Sequence, residues 1–238
     1  LSLSFGGAAG AGLSIAYNEI LGTTKALVEN AEVTATGTAE GIAVHDSTEE
    51  ARKKKEKKDY TEAKYKGLVV AADGRHELQN VMVTVAGAAG GADTFAAGAG
   101  TIVANNLAGA TKANILTSNI NTNINSTTTK NAGANQDVAV LATDYTKSIS
   151  VGGAAGVLLG SAPTGAGIGI ASDNLVRSRL VEAGIEGASK ADQATVNANK
   201  LKTKAEAKAD LKVNAVGVAV SGSGELAISG AGNITVAN

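Results

Sequence analysis

Apolar and polar residues alternate with a period of two through Leu1 to Phe5, Val81 to Val85, Val138 to Ala142, Ser148 to Val151, Leu211 to Val220 and Ile228 to Val236. That period puts successive side chains on opposite faces of an extended strand, and the Gly, Asn, Ser and Asp residues between the runs supply turns. The pattern predicts parallel strands of about three to six residues, tightly joined and stacked. In such a stack each backbone donor and acceptor pairs with the layer above or below, so the core need not be deep. The run TSNINTNINS, Thr117 to Ser126, suits side-chain amide ladders along the stack.

Two stretches depart from this pattern. Ser47 to Glu50 reads S-x-x-E, a capping box, ahead of a charged run whose only apolar or aromatic residues are Ala51, Tyr60, Ala63 and Tyr65. Residues 46–66 are therefore expected to be an insertion, either a helix or a mobile loop. Gly187 to Asp210 is rich in Ala and Lys and has helix propensity, yet KLKTKAEAKADLKV keeps the period of two. Its second half is expected to be a strand with its polar residues outward.

The chain repeats itself. FGGAAG at Phe5 to Gly10 returns as VAGAAG at Val85 to Gly90 and as VGGAAG at Val151 to Gly156. A Gly-Ala-Gly starting at Gly10, Gly98 and Gly165 leads each time into an aliphatic (Ile15, Val103, Ile170), an Ala (Ala16, Ala104, Ala171) and then Asn or Asp (Asn18, Asn105 and Asn106, Asp173 and Asn174). These anchors lie 88 and 67 residues apart, and the difference matches the charged run between His45 and Gly67. A solenoid coil takes about 20 to 30 residues, so each repeat is expected to be a cassette of three coils. The cassettes are 1–80, 81–147, 148–210 and the start of a fourth at 211–238, all within one segment, 1–238. In this reading Gly-Ala-Gly marks a corner and the Asn or Asp after it a turn.

Composition narrows the class. Among 238 residues there are 30 Gly, two Phe, four Tyr, one Met, one Pro and no Trp, which suits a narrow interior of small side chains better than a globular core. A net charge of −1 provides no basic field to collect nucleic acid. The absence of Cys excludes disulfides, thiolate metal sites and cysteine nucleophiles. Because Leu1 is followed by no basic n-region, the chain is expected to be a segment of something longer.

The chemical motifs are weak. Gly222 to Ala227, GSGELA, has the spacing of a dinucleotide loop, but a strand rather than a helix follows it. Ser148 to Ser172 carries no charge and reads as buried strands rather than a membrane span. The nine Asp residues are scattered, and His45 and His76 read as solvated turn residues with no metal-ligand spacing. No catalytic, cofactor-binding or metal-binding residue is assigned, and no cofactor is expected. The candidate contact residues lie in the insertion: Arg52, Lys53, Lys54, Lys55, Lys57, Lys58 and Tyr60.

SISVGGAAG, GAGIGIASDNLVRSRLVEAGIEG and GAGLSIAYNEILGTTKALVENAEVTATG resemble the passenger repeats of large secreted bacterial exoproteins of the filamentous-haemagglutinin and fusobacterial leukotoxin type. The resemblance covers nearly the whole chain except residues 46–66. It implies an all-β, right-handed parallel β-helix (β-solenoid) with one charged insertion, exposed at the bacterial cell surface through an autotransporter or two-partner export route. The function it implies is a non-enzymatic shaft in an adhesin or leukotoxin-like protein, contacting a receptor or glycan on host or bacterial cells. Nucleic-acid binding and membrane insertion by this segment are not expected. The alternative is a β-helical polysaccharide lyase or hydrolase, which would need carboxylates gathered on one face.

Overall fold

The computed structural model describes residues 1–48, 62–89, 94–122, 133–159, 164–221 and 226–237. The chain is all-β, with no helix among these residues. Long strands form two four-stranded parallel sheets. One, sheet A, runs in the order β1 (Ser2–Gly6), β6 (Gly67–Ala89), β9 (Asp137–Leu159), β12 (Leu201–Val220). The other, sheet B, contains β2 (Ala9–Glu29), β7 (Thr94–Leu116), β10 (Thr164–Glu186) and β13 (Leu226–Ala237), also stacked in chain order. A third, narrow sheet C joins β3 (Glu32–Val33), β8 (Asn119–Ile120) and β11 (Thr195–Val196). Each circuit of chain visits A, then B, then C, and lies beside the circuit before it.

The strands are much longer than their local alternation suggests. Several run 23 residues, roughly 75 Å at the usual rise of a strand. Gly152, Gly153 and Gly156 lie inside β9 and Gly165 and Gly167 inside β10, because parallel neighbours on both sides hold the backbone extended regardless of local propensity, whereas Gly7 sits in the bend between β1 and β2. Gly67 pairs with Asp137 and Val138 with Leu201. One repeat therefore makes a single broad circuit, not the three coils expected of a cassette, and the expected boundaries at 81, 148 and 211 fall within β6, β9 and β12. The strand expected in the Ala- and Lys-rich segment is present as β12, with Lys202, Lys204, Glu206 and Lys208 on its outer face.

Register also differs from the motif alignment. Ala11 pairs with Gly98, and Gly98 with Ile168, offsets of 87 and 70 residues. Each offset differs from its motif spacing by an odd number, which moves a side chain to the opposite face. Gly-Ala-Gly therefore marks no common corner. Gly10 is buried and faces inward, whereas Gly98 faces outward.

The inward glycines have a different role near the turns that join sheet A to sheet B. A Cβ on Gly10 would lie 2.0 Å from the Gly87 carbonyl oxygen across the core, and one on Gly169 would lie 1.9 Å from that of Val218. The two sheets approach here to backbone contact, with a thin core of Ala86, Ala99, Ala154 and Ala171. At the far end, toward sheet C, larger side chains hold the sheets apart: Val70, Ile115, Ile120, Val138 and Val140 form an apolar cluster. Asn30 and Thr117 take left-handed φ values of 49° and 46° where β2 and β7 turn toward sheet C, the conformation a tight bend requires.

Candidate functional site

Between the two apolar ends buried polar side chains interleave with Val103, Leu107 and Leu175, and glycine columns make room for them. In sheet B, Gly22 pairs with Gly109 and Gly109 with Arg179. In sheet A, Gly74 pairs with Asp144. A Cβ on Gly74 would lie 2.3 Å from Thr111 Oγ1 and 2.7 Å from Asp144 Oδ2. Gly109 has a φ of 131°, and a Cβ there would meet the Gly22 carbonyl at 2.0 Å. Into this gap Arg179 extends along the stack, its Nε donating to Asp144 Oδ2 at 3.0 Å, its Nη1 to the Ala108 carbonyl at 2.9 Å and its Nη2 to that of Gly22 at 3.4 Å. One guanidinium thus links three circuits.

Asp144, fully buried, also accepts from Arg177 Nη2 at 3.3 Å, Thr111 Oγ1 at 2.8 Å and Thr146 Oγ1 at 3.2 Å. His76 lies in β6 with 13% of its side chain exposed, its Nε2 3.6 Å from Asp144 Oδ2, too far for a hydrogen bond. This corrects the expectation of a solvated turn. Burial and the Arg179 charge hold its pKa below the usual imidazole value, against the opposing pull of Asp144. The cluster is a buried charge network in which one carboxylate accepts from two guanidinium groups and two hydroxyls, and Arg177 and Arg179 also line a recess with Leu180, Val181 and Ala207.

A second polar layer follows. Asn18 Nδ2 donates to Asn105 Oδ1 at 2.9 Å, Asn105 Nδ2 to Ser150 Oγ at 2.9 Å, and Ser150 Oγ to Asp173 Oδ1 at 2.9 Å. Burial raises the pKa of Asp173, and the Ser150 bond only partly opposes this. The Asn or Asp that read as a turn residue is therefore a mid-strand core residue. Asn18 and Asn105 are in register, whereas Asp173 pairs with Val103 and reaches Asn105 diagonally. In TSNINTNINS, Asn123 and Asn125 lie outside the described residues, and Asn121 links circuits through the backbone: its Oδ1 accepts from Ala35 N at 2.8 Å and its Nδ2 donates to the Asn197 carbonyl at 3.0 Å.

The insertion folds back on the outer face of sheet A. β4 (Ile42–Val44), just ahead of the insertion, forms an antiparallel pair with β5 (Ala63–Tyr65) at its end, and the pair contacts β6 and β9. His45 Nε2 lies 2.9 Å from Glu62 Oε1. Asp46 Oδ2 accepts from Lys202 Nζ at 2.9 Å, the Asp46 carbonyl accepts from Lys204, and Thr48 N donates to Glu206 Oε1 at 3.2 Å. Lys202 Nζ also lies 5.8 Å from the centre of the Tyr65 ring. The bonds to Asp46 and Tyr65 raise the Lys202 pKa. Burial pushes Glu206 upward, but its bonds to Lys204 and Thr48 outweigh it and hold the carboxyl low. A segment that leaves the first circuit is thus tied to the fourth, across β6 and β9. The expected contact residues Arg52, Lys53, Lys54, Lys55, Lys57, Lys58 and Tyr60 lie outside the described residues, as do Glu49 and Glu50 of the capping box. Sequence reasoning missed Asp46 and Lys202 as a pair because 156 residues separate them.

Among the described residues no three His, Asp or Glu side chains are grouped as a metal ion would need. Also among them, no helix is long and apolar enough to cross a membrane. No family model, curated protein or solved structure matches the chain.

Proposed function

We propose that the chain is a right-handed parallel β-helical shaft segment of a secreted, surface-exposed bacterial adhesin or leukotoxin-like exoprotein, supporting contact with host or other cells without catalysis. The observation that carries this reading is the pairing of every circuit with the one before it in both long sheets, so that length grows by adding circuits. The polar chemistry of the interior favours a mechanical role. Arg179 and the Asn18–Asn105–Ser150 bonds link circuits to one another, and the insertion straps the outer face. The remainder of the parent chain would then carry the receptor- or glycan-binding tip.

Duplicating residues 137–200 within the chain tests the shaft. The longer protein should gain about 5 Å along the stack by small-angle scattering and resist denaturant better, whereas an unchanged or unfolded particle would count against the reading. Surface placement is tested by staining intact source cells with an antibody to the exposed Ala188 to Asp192 loop; staining only after lysis would refute it. Release of reducing ends from a polysaccharide panel by the purified chain would favour the enzymatic alternative.

A further inference from the structure

The outer face of sheet B is broad, exposed and largely apolar. Odd-numbered residues of β2 and even-numbered residues of β7, β10 and β13 point outward in register, so the face reads as rows of four across the stack. One row is Leu13, Gly100, Ile170 and Gly230, and the next is Ile15, Ile102, Ser172 and Gly232. Leu13, Ile15, Tyr17, Ile170, Leu180 and Ile234 are each half or more exposed. The glycines of this face differ from those of the interior. A Cβ on Gly98, Gly230 or Gly232 would meet no described atom within 4 Å, so the fold of one chain does not require them. They leave hollows beside the large side chains. In the row after Ala110 and Leu180, Lys112 Nζ lies 3.1 Å from Glu182 Oε2.

We infer that this face is the interface between two copies of the chain, related by a two-fold axis that runs along the strands between β7 and β10. In a two-fold contact the same surface serves both copies, so the face must be complementary to itself. That axis lays β7 on β10 and β2 on β13 of the second copy. Gly98 then faces Ile168 of the second copy, Leu13 faces Gly230, Ile15 faces Gly232 and Ala110 faces Leu180, a large side chain over a small one each time. The charged row obeys the same symmetry. Lys112 faces Glu182 of the second copy, and the reverse, which closes a square of alternating charges at one end of the interface. Strands about 4.8 Å apart and outward residues about 6.7 Å apart give a contact of roughly 750 Å² per copy. The pair buries about 1,500 Å², within the range of specific, stable interfaces. Glu19, whose carboxylate accepts from Asn106 Nδ2 at 3.0 Å, lies on β2 at the rim of the contact, where interfaces are polar. A lipid surface would call for apolar area alone, not for hollows matched to ridges and a Lys matched to a Glu.

Sedimentation equilibrium of the full chain between about 1 µM and about 100 µM covers the range in which an interface of this size associates. The wild type should show a monomer–dimer equilibrium. Gly98→Ile has room within one chain but fills the hollow that Ile168 of the second copy occupies, and should weaken association at least roughly 10-fold. Val81→Lys, at a position 68% exposed on sheet A, should leave it unchanged. Lys112→Glu and Glu182→Lys each bring like charges together across the axis, and each alone should associate at least roughly 10-fold more weakly. Their equimolar mixture should recover association as a heterodimer, because every facing pair is then of opposite charge. That recovery separates contact between copies from the ion pair within one chain. A wild type that stays monomeric at about 100 µM, a dimer that Val81→Lys disrupts and Gly98→Ile does not, a mixture that remains monomeric, or a monomer that instead floats with phosphatidylcholine vesicles would each overturn the inference. Failure of dimerisation leaves the shaft reading intact, because the circuit-duplication test does not depend on it.

Discussion

Asp144 is one buried carboxylate facing two guanidinium groups and an imidazole. A buried pair contributes little net stability over an apolar replacement, but removing one partner leaves uncompensated charge in low dielectric. Asp144→Ala should therefore cost about 3 to 5 kcal/mol, measured as a shift in the urea midpoint. His76 sets a pH dependence. Its pKa is depressed in the folded chain, so below about 6.5 the unfolded chain binds the extra proton more readily, and stability falls as pH drops. His76→Gln should flatten that decline; a decline of unchanged steepness would refute the assignment. Asp173 has the opposite sign. Its raised pKa favours the protonated carboxyl in the fold, so its contribution is present below the unfolded value and is lost as pH rises. Asp173→Asn, matching Asn18 and Asn105, should stabilise the chain at pH 7 by about 1 kcal/mol, with the gain vanishing near pH 3.

Within the elements, glycine has two roles that denaturation can separate. Gly169 faces the opposite sheet at backbone contact, whereas an added Cβ at Gly230 meets nothing within 4 Å. Gly169→Ala should cost about 1 to 3 kcal/mol by overpacking and Gly230→Ala less than about 0.5 kcal/mol; equal effects would mean the sheets do not approach as described. Much of the element structure was legible in the sequence. The alternation in KLKTKAEAKADLKV located β12 and its outer face, since side-chain direction in a strand is a local property. The length of β9 was not legible, because Gly152 to Gly156 repeats the Gly6 to Gly10 string that bends between β1 and β2, and only the neighbouring strands β6 and β12 keep the later copy extended. Asp173 was singled out as polar, but its place in the core was not readable, because it depends on an odd register change that the Gly-Ala-Gly alignment concealed.

For the whole molecule, stability should be graded across the stack. β9 has a partner strand on both sides and a covered outer face near its start, whereas β2 and β13 each have one open edge. Amide exchange should be slowest in Val138 to Thr146 and fastest in β1 and β13, as expected when each circuit is held mainly by its neighbours. The strap adds a long-range tie. Asp46→Ala should speed proteolysis at the β4–β5 segment without unfolding the sheets, because the Lys202 pair is partly exposed and contributes about 1 kcal/mol or less.

By itself the sequence determined that this chain forms extended strands, that small side chains fill its interior, and that a broad unit recurs with an insertion in one copy. All of these follow from local alternation, side-chain volume and self-similarity. The tertiary structure decided that each unit is one circuit, which glycines face inward, and that Asp144, Arg177, Arg179 and His76 share one buried site. Those depend on pairing between residues about 60 to 90 positions apart and on a register in which a single-residue slip exchanges the inner and outer faces.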